Sequence, residues 1–247
     1  MGEKGCMKLG CAAGLLLGLA AQSAAATQTF DSFAQYDAWY AGYYARPDAA
    51  SVVPSIQYLL SSSQGKSELV AAPAASFYAA VVRQDPALLG RLAELISQGT
   101  DAQTQRFVLD VVARVATTQA QALLKKLGAE STSTGVRQYA LRLQERTTRL
   151  PTSLQRARSA LDLRVLWAHF CATGDPLPLR TIVSAVHQAH EGRGVQRLVG
   201  TEAERLIRTR ASAHPALYAV LEEAVRTTSG DRRMRLAALI EDVDRQR

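Results

Sequence analysis

The chain has 247 residues, 47% hydrophobic and 21% charged, with a formal net charge of +7. That balance excludes intrinsic disorder and supplies enough apolar side chain for a sizeable core. Ala dominates the apolar fraction and aromatics make up only 6%, a mixture suited to closely packed helices and poorly suited to a β-sandwich.

Residues 1–26 read as a leader. Lys4 and Lys8 precede an apolar run, Cys11 to Ala21, and the small residues Ser23 to Ala26 follow. A charged start, a short apolar centre and an A-x-A end predict a secretory signal peptide cleaved after Ala26. The run is far shorter than the roughly 20 residues that span a bilayer. A retained N-terminal anchor is the alternative. A lipoprotein is disfavoured, because Lys8 stands where a lipobox needs an apolar residue. Cleavage leaves Cys171 as the sole cysteine, so packing rather than disulfides must hold the product together. The expected location is periplasmic or secreted, in a bacterium.

The next segment, "FDSFAQYDAWYAGYY", holds seven of the chain's fifteen aromatic residues. Phe33, Tyr36, Tyr40 and Tyr43 recur at helical spacing, widened by Trp39 and Tyr44. Such a stripe either seals a first helix onto the following pair or offers Tyr36, Trp39, Tyr40, Tyr43 and Tyr44 as a surface for a glycan or peptide. Asp31, Gln35, Asp37 and Asp48 keep the second option open. The first is favoured.

Further along, "SSSQGKSEL" contains Gly65-Lys66-Ser67, the tail of a phosphate loop. Position 60 is Leu where that loop needs Gly, so a joint between helices is the better reading. Helix starts then recur with one grammar: Asp85-Pro86, Asp175-Pro176 and Pro215, each followed by apolar residues three and four apart. The same period predicts helices over 33–44, 50–60, 73–82, 102–115, 119–127, 136–145, 154–170, 202–211 and 232–243. About twelve helices and no alternating strand pattern predict an all-α protein. An irregular HEAT-like α-α superhelix is the expected form, with a globular helical bundle as the alternative. The predicted organisation is a leader (1–26), an N-terminal lobe (27–130) and an Arg-rich C-terminal lobe (131–247), or one continuous domain over the last two.

Three stretches resemble a group of uncharacterised exported bacterial all-helical proteins. "YYARPD" carries Y-x-x-P-D, Pro73 to Pro86 carries P-x-x-x-F-x-A-x-V-x-x-x-D-P, and "LWAHFCATGD" carries L-W-x-x-F-x-A-T-G-D, in that order. The resemblance implies an all-α fold. It lends no activity, cofactor or site residue.

Charge is uneven. Residues 27–127 are neutral, whereas 128–247 carry nineteen Arg, no Lys and a net charge of +6. Arg137, Arg142, Arg146, Arg149, Arg156 and Arg158 form the densest tract, a candidate patch for an anion or a partner such as anionic lipid, lipopolysaccharide or an envelope protein. An ordinary solvated face is the simpler reading, and nucleic acid is not expected for an exported chain. His187 and His190, with Glu191 adjacent and His169 or Cys171 as further ligands, could hold a metal, but histidines in a last helical turn also suit the helix dipole. Cys171 reads as a small buried residue. No nucleophile elbow is present. The function expected is a non-enzymatic scaffold of the cell envelope that needs no cofactor and binds another protein; a glycan-binding protein or envelope enzyme with a site near the aromatic helix is the rival.

Overall fold

Several helices begin where short polar side chains take up backbone N–H groups that would otherwise go unpaired. The computed structural model describes residues 28–98, 100–147 and 155–247; the expected leader lies outside them. Ser32 Oγ accepts from Gln35 N and opens α1 (Phe33–Gly42). Asp48 accepts from Ala50 and Ser51 in a 3-10 turn that leads into α2 (Val52–Ser61). Asp101 accepts from Gln103 and Thr104 at the head of α5 (Ala102–Val115), and Thr117 caps α6 (Thr118–Glu130). A full capping box, Ser159 with Asp162, starts α8 (Ala160–Thr173), and Gly174 ends it with φ +72°.

The remaining helices are α3 (Glu68–Gln84), α4 (Leu88–Ser97), α7 (Thr134–Thr147), α9 (Leu177–Ala185), the single turn α10 (Gln188–Glu191), α11 (Val195–Arg210), α12 (Pro215–Thr227) and α13 (Gly230–Asp244). The fold is therefore all-α, with twelve helices of nine or more residues among the described residues. Pro215 opens α12 as expected. The Asp-Pro pair sits two residues before the expected place at α4 and one residue before it at α9. Asp85 accepts from Ala87 N and Asp175 from Leu177 N, so each carboxylate closes a tight turn that the helix then continues.

The packing has a local and a non-local part. Neighbours pair (α5 with α6, α6 with α7, α12 with α13), and helices two apart also meet, α3 with α5, α5 with α7 and α11 with α13. Stacked hairpins produce this pattern. The chain then turns back: α8 lies along α3 and touches α1 before α9 and α11 build on it. Both α3 and α8 bury small residues, Ala74, Ala75, Ala79 and Ala80 on one and Ala168, Cys171 and Ala172 on the other, which lets the two backbones approach closely. The two expected lobes consequently share one core, which runs from Phe30 to Val243, and α7, the first helix of the expected second lobe, packs on α5 and α6 of the first.

The aromatic stripe of α1 seals this core. Tyr36, Tyr40 and Tyr43 are buried, and Trp39 and Tyr44 are half-buried against it. Tyr40 lies 4.4 Å from Phe77 of α3, and Tyr44 lies 4.6 Å from Phe170 of α8 (centroid distances). The Tyr78 hydroxyl donates to Ser55 Oγ at 2.9 Å and Ser55 Oγ donates to the Val52 carbonyl at 2.7 Å, satisfying polar groups that burial would otherwise penalise. Burial pushes the Tyr36, Tyr40 and Tyr78 hydroxyls well above their ordinary range, and Tyr43 to about 12. All four are neutral at physiological pH. No described helix is long and apolar enough to cross a membrane.

Candidate functional site

Of the two candidate surfaces, the aromatic one is turned into the core, which is the favoured reading of that stripe, and the described arginines of the other are exposed. The five-residue stripe Tyr36, Trp39, Tyr40, Tyr43 and Tyr44 faces inward, because the period that lines up its rings also aims them at Phe77 and Phe170. The described arginines of the dense tract fall on separate elements. Arg137 reaches the Ser131 carbonyl at 3.5 Å, and the Arg142 guanidinium lies 5.3 Å from the centre of the Tyr139 ring; both belong to α7. Arg156 borders a hollow of about 280 Å³ with His187, Gln188 and Gln196. The Arg158 backbone N–H is taken by Asp162 of the α8 cap. Arg149 and the Arg146 side chain lie outside the described residues.

The histidines are also dispersed. His187 Nδ1 meets the Ser184 carbonyl, His190 Nε2 lies 3.0 Å from Glu204, and His169 sits beside Thr173. Among the described residues no three His, Cys, Asp or Glu side chains are placed to hold a metal ion. Cys171 is fully buried, and burial pushes its thiol well up. Gly65 and Lys66 belong to a 3-10 turn between α2 and α3, and Ser67 stands between that turn and α3.

Guanidinium groups converge instead in a cleft of about 440 Å³ bordered by Asp37 of α1, Arg164 and Trp167 of α8, and Arg205, Thr209 and Arg210 of α11. Arg210 forks onto Asp37 at 2.7 and 3.2 Å, across 173 residues of sequence. Its guanidinium lies 5.9 Å from the centre of the Trp167 ring, and His214 meets the same ring edge-on at 4.9 Å. Arg205 forks onto Glu202, with both bonds at 2.7 Å. That hydrogen bonding holds the Glu202 carboxyl below its ordinary range, so Glu202 is anionic at neutral pH. Arg164 reaches Glu202 only at 3.3 and 3.4 Å.

The placement of Arg164 follows from a proline. Pro73 lies inside α3, so the Leu69 carbonyl four residues earlier loses its helical donor. Arg164 Nη1 lies 3.4 Å from that oxygen and donates to it. Thus α3, α8 and α11 meet at one guanidinium. No family model, curated protein or solved structure matches the chain, so the functional reading rests on its own residues.

Chemically the cleft can bind charge. Three guanidiniums face two carboxylates, leaving one positive charge beside an aromatic ring. Burial lowers the pKa of His214, as does the nearby Arg210, and burial likewise lowers that of His169, so both imidazoles are neutral at pH 7. Sequence reasoning missed Arg164, Arg205 and Arg210 because they are scattered along the chain. The one local signal was Glu202-x-x-Arg205, a helical ion pair.

Proposed function

We propose that this chain is an exported, non-enzymatic α-helical scaffold of the bacterial cell envelope that holds another protein at the Arg164–Arg205–Arg210 cleft. Export is supported by the sequence of residues 1–26, with its charged start, short apolar run and A-x-A end. The observation that carries the binding part is the cleft itself: three guanidiniums against two carboxylates around Trp167, with Leu69 exposed at the carbonyl that Arg164 touches and Leu198 exposed one turn before Glu202 on α11. Clustered Arg with exposed apolar side chains is the composition of a protein-binding surface. The non-enzymatic part is supported by the burial of Cys171 and by the dispersal of the histidines. A glycan site on the aromatic helix finds no support, since Tyr36, Tyr40 and Tyr43 have no open face for a sugar.

The reading is tested by affinity capture from envelope extract, comparing the wild-type chain with the double variant R164Q/R205Q. A partner retained by wild type and lost by the variant is the expected result. Equal retention by both would overturn the placement of the interface.

A further inference from the structure

Resting on that reading of the cleft, we propose that what it recognises is a single carboxylate side chain of an acidic peptide segment, flanked by apolar residues that lie on Leu69 and Leu198. Three features carry this.

The first is the geometry of Arg164. A charge-assisted bond between guanidinium and carboxylate is normally about 2.7–2.9 Å long. Arg205 meets that standard on Glu202, and Arg210 approaches it on Asp37. The three contacts of Arg164 are all 3.3–3.4 Å, and two of them share the Glu202 oxygen that Arg205 already holds at 2.7 Å. Arg164 is the under-bonded cation of the group, a third exposed and held in place by the Leu69 carbonyl. An arriving carboxylate gains a fork that is already oriented.

The second is charge. Arg164, Arg205 and Arg210 exceed Asp37 and Glu202 by one, so a monoanion is matched. A dianionic phosphate would face two resident carboxylates with only one cation in excess. The neutral His214 imidazole behind Trp167 does not alter the count.

The third is the rim. Leu69 is 54% exposed and supplies the carbonyl that Arg164 touches. Leu198 is 68% exposed and sits one turn before Glu202 on α11, about 5–6 Å along the axis; Val195 follows one turn further, also exposed. Exposed apolar side chains on two helices thus adjoin residues of the charged centre. The cleft volume suits one side chain and its adjoining backbone.

Trp167 provides the readout. The chain has two tryptophans, so in the W39F variant of the full chain emission reports the cleft alone. The probes are a peptide with a central Leu-Glu-Leu, its Leu-Gln-Leu and Ala-Glu-Ala counterparts, inorganic phosphate, and vesicles containing phosphatidylglycerol. We expect saturable binding of the Leu-Glu-Leu peptide that weakens as salt is added, about tenfold or more weaker binding for the Gln peptide and for R164Q, and a smaller loss for the Ala peptide and for L198S. R164K, which keeps the charge and loses the fork, should fall between wild type and R164Q. Circular dichroism identical to wild type shows that each variant is folded. Equal affinity for the Glu and Gln peptides overturns the proposal, as does saturation by phosphate or vesicles below the peptide's own range. If the peptides fail to bind while capture of an envelope protein still depends on Arg164 and Arg205, carboxylate recognition is wrong and the cleft reading stands. If capture is also indifferent to both arginines, both fall.

Discussion

The two ends of this molecule hold their helices together by opposite means. Around α1 to α3 the joint is dry and aromatic: Phe30, Tyr36, Trp39, Tyr40, Tyr43, Phe77 and Tyr78 lie ring against ring, and their hydroxyls are neutral. Around α10 to α13 small apolar contacts are supplemented by ion pairs, including Arg208 with Glu204 and Asp242, and Arg235 with Glu191. Each aromatic pair contributes about 0.5–1.5 kcal/mol beyond the area it buries, whereas an exposed ion pair contributes about 0–1 kcal/mol and is screened by salt. The first design gives rigidity without leaving a surface to use. The second leaves charged and apolar side chains exposed, among them Leu198 and Met234. The cleft lies where they meet, with Asp37 from the dry end and Arg210 from the charged end.

The comparison can be broken at several points. The largest effect is expected from Phe77→Ala, which removes a fully buried ring contacted by Trp39, Tyr40, Tyr43 and Tyr78. It should cost about 3–5 kcal/mol in urea unfolding, independent of salt. A cost below that of an ion-pair variant would refute the contrast. Gly200→Ala comes next, because a Cβ there would lie 1.9 Å from the Ala189 backbone nitrogen. Separating α10 from α11 should cost about 1–3 kcal/mol, and a neutral result would show that the charged end yields freely.

Removing the bridge between the ends is a milder test. Asp37→Asn should cost about 1 kcal/mol in low salt and less in high salt, since both side chains are about a third exposed. The pH dependence has two windows. His169 and His214 have pKa values depressed below 6.5, so the unfolded chain binds protons first and stability falls as pH drops from 6.5 toward those lower values. Glu202 is depressed below 4.5, so its contribution is complete above 4.5 and disappears as pH falls further, a loss that the E202Q variant should not show. The smallest effect is expected at Trp39→Phe. Trp39 Nε1 is buried with no hydrogen-bond partner among the described residues, so losing that unpaired donor offsets part of the packing lost with the smaller ring, and stability should change by less than about 1 kcal/mol.

Local patterns made the helices legible in the sequence, and the cleft needed the fold. The helix at 102–115 was readable to the residue, because Asp101 caps it and its apolar positions repeat every three or four residues. Boundaries went astray where one residue had two possible roles. Pro73 looked like a helix start, yet α3 begins at Glu68 and uses the proline to free the Leu69 carbonyl. Residues 195–201 held no predicted helix, yet α11 runs through them, and Gly200 is the point at which α10 presses against it. The aromatic stripe was legible as a stripe, and its inward direction depended on Phe77 and Phe170. The Arg tract at 137–158 was dense along the chain, and its described members are divided between α7 and the segment that leads into α8. The arginines that do gather come from α8 and α11 and find Asp37 at the far end of the sequence, a pairing that no local pattern encodes.

The most direct test is site-specific photo-crosslinking of the full chain in intact cells, with the probe placed in turn at the exposed apolar positions Leu69, Leu141, Leu177, Leu198 and Met234. Adducts to another protein concentrated at Leu69 and Leu198, and lost when Arg164 is also changed to Gln, are the predicted result. Adducts that favour Leu141 or Leu177, or that ignore Arg164, would contradict it.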